Sequence, residues 1–517
     1  MANSATATAK VANHRVLSRS VLGQLPAHVK VPNYDSGQLS PGILHIGAGN
    51  FAASLLGSIV DDCLADDPNW GIVAASIRSD GMISALNKQD CLYVLIERTN
   101  GERQASVRAP IVEALFGPDD PERLVSLIAD PRIKAVTLTI SNKGYCFAPN
   151  GGLDLKNGDV VHDLCASEKP RTVYWYLSRG LALRKDSCAQ PLTIISLDNI
   201  ESNSRALRKA LYDYVAESNP ELAQWMDDNV AFPVTLVDRI TPESTVAFRH
   251  DATEFLGFES TVIIPTEKFR QLVIEKSPFP LPAWEKAGVT VVDDCSQYWQ
   301  QKFFCLNGGH QIVGIPAQRL GIAHIHEAMA ESSIAGLIEL AHRELASIIP
   351  GSEEHLDKYM ETIRHRFSDS ALNDTVVRVT ARTTSKVSER LLAAVERSLA
   401  LHGKVLTAHT FVTAVWLLNL DGDDEFGQEI PANDADSEKL IDVHQDVLTW
   451  ARSEESDAAE APTDVLKSAL IQAAEILKDT RFARMANNPV FIKELTWAVL
   501  QINRLGTQAA IQALLAR

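Results

Sequence analysis

Ile43-Leu-His-Ile46-Gly47-Ala-Gly49-Asn50-Phe51-Ala52 decides the fold of the first half of this chain. A short apolar run ends in glycine and passes at once into an apolar-periodic stretch over residues 52–64, which reads as strand, turn and helix. In this G-x-G-x-x-A pattern Gly47 permits a tight turn, Gly49 lets the backbone approach a pyrophosphate, and the small Ala52 lets helix pack on strand. The helix start then offers free N–H groups and a partial positive charge to phosphates. A glycine-rich turn can also be purely structural, so its surroundings decide its meaning. A second apolar run at residues 71–77 (GIVAASI) follows at the distance a βαβ unit requires.

Working outward, further apolar runs occur at residues 135–140, 192–197 and 234–237, with helical patterns between them at 172–183 and 204–217. Such alternation implies a mostly parallel sheet covered on both faces. From about residue 297 the pattern changes to long amphipathic stretches at 328–349, 388–401 and 461–477. The expected fold class is therefore an α/β Rossmann-type N-terminal domain plus a mainly α-helical C-terminal domain. Residues 1–40 read as a leader, partly disordered; residues 41–290 as the dinucleotide-binding domain; and residues 291–517 as the helical catalytic and substrate domain. The Pro-rich SPFPLPAW at 277–284 marks the boundary region. Two acidic segments, at 421–436 and 453–464, read as surface loops.

Composition narrows the function. With 517 residues the chain exceeds one ordinary core. A net charge of −17, with no basic stripe to offset it, argues against a nucleic-acid partner. Seven scattered cysteines without a CxxC pair argue against a disulfide framework or a structural zinc and fit a reducing cytoplasm. Nowhere do eighteen apolar residues run together, so no membrane span is expected.

The second chemical signal is Tyr298-Trp-Gln-Gln-Lys302-Phe-Phe-Cys-Leu-Asn307-Gly-Gly-His310, where the helical half begins. Asn307 and His310 are three apart and share a helix face, with Lys302 one to two turns earlier. Oxidation of a carbinol needs one group to accept the hydroxyl proton, one to stabilise the developing oxyanion and one to orient the base. A lysine made less basic by burial, an asparagine amide and a histidine suit those tasks. Taken singly, each is more often a solvated lysine, a helix cap or a core histidine. At the end of the second strand, Arg78 favours a cofactor 2′-phosphate and Asp80 its absence, so the residues leave NAD and NADP open.

Several segments, in order, resemble one family: ILHIGAGNF, TLTISNKGYC, SLDNIESNS, LVDRITP, WEKAGVTVVDD leading into KFFCLNGGH, and RVTARTTSK. The chain is identified by them as a member of the polyol-specific long-chain dehydrogenase/reductases, the mannitol 2-dehydrogenase and hexuronate reductase family. The likeness extends from about residue 40 to the C-terminus. It implies an NAD(P)-dependent oxidoreductase interconverting a secondary alcohol of a polyol and the corresponding ketose, with NAD as cofactor, NADP as the alternative, no metal, and a monomer. It also implies that Lys302 matches the general base, Asn199 and Asn307 the oxyanion-stabilising pair, and His310 the substrate-orienting histidine. Asp238, Arg378 and Lys386 match residues on the substrate side. Gly47, Gly49, Asn50, Phe51 and Arg78 fall on the cofactor side.

The departures from the family bear on substrate. Its F-H-R-A-H appears as Phe51-Ala-Ala-Ser-Leu55, its T-E-K-G-Y has Asn142 in place of the acid, and its D-G-S-x-K-x-P appears as Arg382-Thr-Thr-Ser-Lys386-Val-Ser388. Added positive charge at Arg382 raises a second expectation, a hexuronate of the fructuronate or tagaturonate type. A third, a cofactor-binding protein without turnover, is opposed by the retention of Lys302, Asn307, His310 and Asn199 together.

Overall fold

The computed structural model describes residues 15–99, 101–149, 151–165, 169–351, 353–420, 422–430, 434–453 and 464–517. The chain divides into two compact units, Met1–Cys295 and Ser296–Arg517. The first fourteen residues of the expected leader lie outside the described residues, as do parts of both acidic segments. Among the described residues no helix is long and apolar enough to cross a membrane.

In the first unit, six strands form one parallel sheet in the spatial order Ile111–Phe116, Gly71–Ser76, Pro41–Ile46, Ala135–Leu138, Leu192–Ser196, Val230–Ala231. Numbered along the chain this is 3-2-1-4-5-6, the doubly wound order. Alternation along the strands explains the two covered faces. Leu44, Val73, Val136 and Ile194 pack with residues of the helices Val173–Ser187 and Asn203–Ser218, while Ile43, Ile72, Ala135 and Ile195 pack with Leu55, Leu56 and Ile59 of the helical run that follows Gly49. The chain order reverses between Pro41–Ile46 and Ala135–Leu138. There the carboxyl ends of the strands open the crevice where such sheets bind ligands.

The run at 234–237, expected in the parallel sheet, belongs to another one. Thr235–Asp238 pairs antiparallel with Gln271–Glu275, which pairs in turn with Thr290–Val292. Pro233, lacking an N–H, separates it from Val230–Ala231 and lets the chain leave the first sheet. The Pro-rich 277–284 segment therefore lies between two strands of one sheet. A third sheet contains the hairpin Tyr93–Thr99/Glu102–Arg108, flanked by Ile263–Glu267 and Val29–Lys30. It has no counterpart in the sequence reading.

The second unit is helical around Thr407–Leu418, whose residues are buried from Ala408 to Leu418. The stretch at 328–349, expected as one helix, is two. Glu331 takes extended angles between Ile325–Ala330 and Ser332–Leu345. The Ser332-Ser333 pair following it is of a kind that competes with helical backbone hydrogen bonds and favours helix starts.

Candidate active site

The glycine turn of the first unit is built mainly from backbone. Gly47 has φ +109°, and a Cβ there would lie 2.1 Å from the Thr139 carbonyl oxygen. Its N–H donates to the Ala75 carbonyl at 2.8 Å, as does that of Ala48 at 3.0 Å. Gly49 begins the helical run in extended conformation, and a Cβ there would meet nothing nearer than 3.7 Å. Gly47 is thus required by the fold, whereas Gly49 leaves open space beside the backbone. Asn50 and Phe51 follow in the first helical turn, with Phe51 partly buried against the core. A small apolar cavity lined by Ala48, Gly49, Ala52, Ile72, Ala74 and Met82 adjoins the turn.

His45 was not anticipated as part of this support. It is buried, with Nδ1 2.9 Å from Thr137 Oγ1 and Nε2 3.1 Å from Thr139 Oγ1, and the Thr139 hydroxyl donates to the Gly47 carbonyl at 2.8 Å. Burial lowers the imidazole to about 4, so this chain of hydrogen bonds is made by a neutral ring. Arg239, within VDRITP, is likewise structural. Its buried guanidinium donates to Glu97 at 2.6 Å, to the Glu267 carbonyl, to the Ser54 carbonyl and to Ser58 Oγ, tying the Asp238 loop to the helix after the glycine turn. The signal that would have exposed both residues is polarity within an apolar run.

Asp238 is buried at the end of Thr235–Asp238. Asn199 is exposed one residue beyond Asp198, whose carboxylate accepts from the Ile140 and Ser141 N–H groups and from the Tyr145 hydroxyl. Burial raises Asp198 against those hydrogen bonds. Arg78, past the end of Gly71–Ser76, is paired with Asp159 at 3.0 Å and remains largely exposed.

In the second unit the site is made of side chains on irregular helix. Lys302–Asn307 is a π-helical turn between Ser296–Gln301 and Gly308–Arg319. The wider turn rotates Lys302 relative to the Asn307–His310 face, compared with the uninterrupted α-helix the spacing implied. Lys302 is 6 % exposed. Arg390 Nη1 donates to the Asn307 carbonyl at 3.1 Å from a second π-helical turn, Val387–Leu392. His310 packs against the Phe367 ring at 4.4 Å, and Nε2 lies 3.5 Å from Asp374 Oδ2.

Arg378 grips that same carboxylate with two N–H groups, Nε to Oδ1 at 2.6 Å and Nη2 to Oδ2 at 2.5 Å. Lys386 Nζ donates to the Val379 carbonyl at 2.8 Å. Burial, then the positive charges of Arg390, Arg378 and Arg382, bring Lys386 down to about 8. Arg382 itself sits in left-handed conformation, φ +57°. Asp374 and Arg390 escaped the sequence reading, although each stands four residues from a residue that was singled out. Among the described residues no group of three or more His, Cys, Asp or Glu is arranged to hold a metal ion.

Residues 41–286 match the mannitol dehydrogenase Rossmann domain, and residues 294–503 match the mannitol dehydrogenase C-terminal domain. The chain belongs to the mannitol dehydrogenase family. Within the family it is similar to the polyol:NADP oxidoreductase of Gluconobacter oxydans, 32% identical over 423 residues that cover 80% of this chain and 87% of that protein. Among solved structures it resembles a D-sorbitol dehydrogenase in substrate-free form, with TM-score 0.84, 28% identity, and coverage of 96% of this chain and 100% of the other. It also resembles the Pseudomonas fluorescens mannitol 2-dehydrogenase in ternary complex with NAD and D-mannitol, with TM-score 0.76, 27% identity, and coverage of 97% and 100%.

Proposed function

We propose that this member of the mannitol dehydrogenase family is an NAD-dependent polyol dehydrogenase, interconverting a secondary alcohol and its ketose. The observation that carries the reading is the buried Lys302 on a π-helical turn that runs directly into the helix bearing His310. A proton acceptor for the carbinol hydroxyl needs an amine lone pair, and the amine at the head of this turn is the group of that type in the run. In this reading Asn307, and in the first unit Asn199, take the role of amide N–H donors to oxygen that gains negative charge, and His310 orients the substrate hydroxyls. Asp238, Arg378 and Lys386 complete the substrate side.

The cofactor fits the residues present. Gly49 leaves a cradle that a larger side chain would fill, and the helical run beginning at Asn50 turns N–H groups toward it. When bound, the nicotinamide supplies the hydride acceptor. NAD is favoured over NADP because Arg78 is already neutralised by Asp159 and would have to leave that pair to hold a 2′-phosphate. The domain limits proposed for these roles are 41–290 and 291–517, and the assembly a monomer.

A second reading takes a hexuronate as substrate. It is favoured by the three arginines whose charges bear on Lys386, of which Arg382 occupies a strained left-handed position. Nicotinamide absorbance with mannitol, arabinitol, sorbitol, fructose, fructuronate and tagaturonate, each with both cofactors, tests the two. Turnover of neutral polyols that survives Arg382→Ala is the expected result. Turnover confined to uronates and weakened at least tenfold by that substitution would establish the second reading instead.

A further inference from the structure

His310 and Arg378 are tied to a single acid. Asp374 lies just ahead of the short helix Val376–Thr380, after Asn373 in left-handed conformation, φ +48°. Its backbone is fixed from both sides. The Asp374 carbonyl accepts from Ile325 N–H at 2.9 Å, and Val376 N–H donates to the Ala323 carbonyl at 2.9 Å. The neighbouring short helix is held against the His310 helix, where Gln311 Nε2 donates to the Val379 carbonyl at 3.0 Å. Gly314 allows an approach there that a Cβ would obstruct at 2.8 Å from Val379. The carboxylate has little freedom to be anywhere else.

Its charge state is as constrained as its position. The Asp374 side chain is 10% exposed, and burial alone would raise it. The nearby His310 ring and the two N–H groups of Arg378 overcome that and hold it well below the ordinary carboxylate range. His310 is lowered by burial first, against the attraction of Asp374. At neutral pH the pair therefore meets as a carboxylate and a neutral imidazole. A carboxylate can only accept, so the ring nitrogen facing it must carry the proton, and the other must carry a lone pair. Nε2 is the buried nitrogen and Asp374 the acid it faces, at 3.5 Å, which leaves Nδ1 as the nitrogen on the other side of the ring.

We propose that Asp374 is a positioning residue: it fixes His310 as the Nε2–H tautomer, so that Nδ1 accepts a hydrogen bond from a substrate hydroxyl, and it holds Arg378 in the same grip. The proposal rests on the reading of His310 as substrate-orienting. It goes beyond that reading by assigning the direction of the hydrogen bond and the residue that imposes it. A ketose or polyol hydroxyl placed there is the donor, and a substrate analogue with hydroxyl replaced by methoxy or fluorine at that position loses the contact.

The test separates the tautomer from the catalysis. Nitrogen-15 NMR of the full-length protein labelled at histidine, with the His310 signal assigned by its loss in His310→Gln, reads the tautomer without any turnover. The expected wild-type spectrum has a protonated Nε2 and an unprotonated Nδ1 at neutral pH. In Asp374→Asn the His310 signals move toward a mixture of tautomers, kcat/KM for the polyol falls about 10- to 100-fold, and NAD(H) affinity by fluorescence titration is unchanged. Asp374→Glu, which keeps the charge, recovers part of both the tautomer and the rate. A protonated Nδ1 in the wild type overturns the proposal even if no Asp374 variant folds. Loss of rate in Asp374→Asn with the tautomer intact overturns it as well. The expected tautomer together with undiminished turnover in His310→Gln would overturn the reading of His310 itself, and with it the catalytic half of the proposal.

Discussion

The glycine turn of the first unit and the Lys302 turn of the second are made in opposite ways. At Gly47 the determining contacts are backbone hydrogen bonds to Ala75 and a left-handed-side φ, buttressed by Thr139 and His45. Around Lys302 and His310 the determining contacts are side chains drawn from distant segments: Asp374 on His310, Arg378 on Asp374, Arg390 on the Asn307 carbonyl. A backbone-built site tolerates no change in conformation but is indifferent to most surrounding side chains. A side-chain-built site depends on every partner and can be retuned by substitutions that leave the helices alone. Both adjoin π-helical turns, at Ala53–Gly57 and Lys302–Asn307, which are common where function has displaced regular packing.

The largest effect that would sharpen this contrast is at Lys302. Lys302→Ala should reduce turnover about 10²- to 10⁴-fold, measured by nicotinamide absorbance, with cofactor affinity by fluorescence titration nearly unchanged. An equal loss of cofactor binding would erase the division of labour between the two turns. Next comes a pair of substitutions within the glycine turn. Gly47→Ala forces a Cβ against the Thr139 carbonyl at a φ that alanine resists, and should cost about 3 kcal/mol or more, visible as a lowered thermal midpoint. Gly49→Ala meets open space, so it should leave the thermal midpoint in place and weaken NAD(H) binding. If both glycines behaved alike, the separation of fold requirement from ligand requirement would be wrong.

The smallest effect belongs to the side-chain cluster and is read from pH. Lys386 falls from its ordinary 10.5 to about 8 in the folded protein, through burial first and then Arg390, Arg378 and Arg382. Between those values the unfolded chain binds a proton that the folded chain does not, so stability rises with pH across that window. Below about pH 8 the cost of charging Lys386 in the fold is fully present. Lys386→Met should therefore flatten the rise in denaturation midpoint between pH 8 and 10.5. An unchanged slope would show that neither burial nor the surrounding arginines lower Lys386.

Legibility followed the same division. The parallel strands Pro41–Ile46, Gly71–Ser76, Ala135–Leu138 and Leu192–Ser196 were readable because apolar runs and a glycine pattern are local signals, whereas Ile111–Phe116, buried only at its first residue, was missed. Val230–Ala231 was too short to register, and the strand after Pro233 was assigned to the wrong sheet because an apolar run states only that it is buried, not against what. The hairpin at Tyr93–Thr99 and Glu102–Arg108 was missed because its second strand begins with exposed polar residues. In the second unit the residues at 302, 307 and 310 were singled out from their types and spacing, but the π-helical turn that sets their relative rotation carries no sequence signature of its own.

What the sequence by itself determined is the pair of fold types, the need for glycine at position 47 and the family. These depend on periodicity and on backbone constraints that neighbouring residues already express. The tertiary structure alone decided that Asp374 serves both His310 and Arg378, that Arg390 supports the Asn307 turn, that Arg78 is matched by Asp159, and that His45 braces the glycine loop. Those are contacts between residues whose separation in the chain is set by packing. A side chain's chemistry shows what it can bind, but only the fold brings a particular partner within 3 to 4 Å.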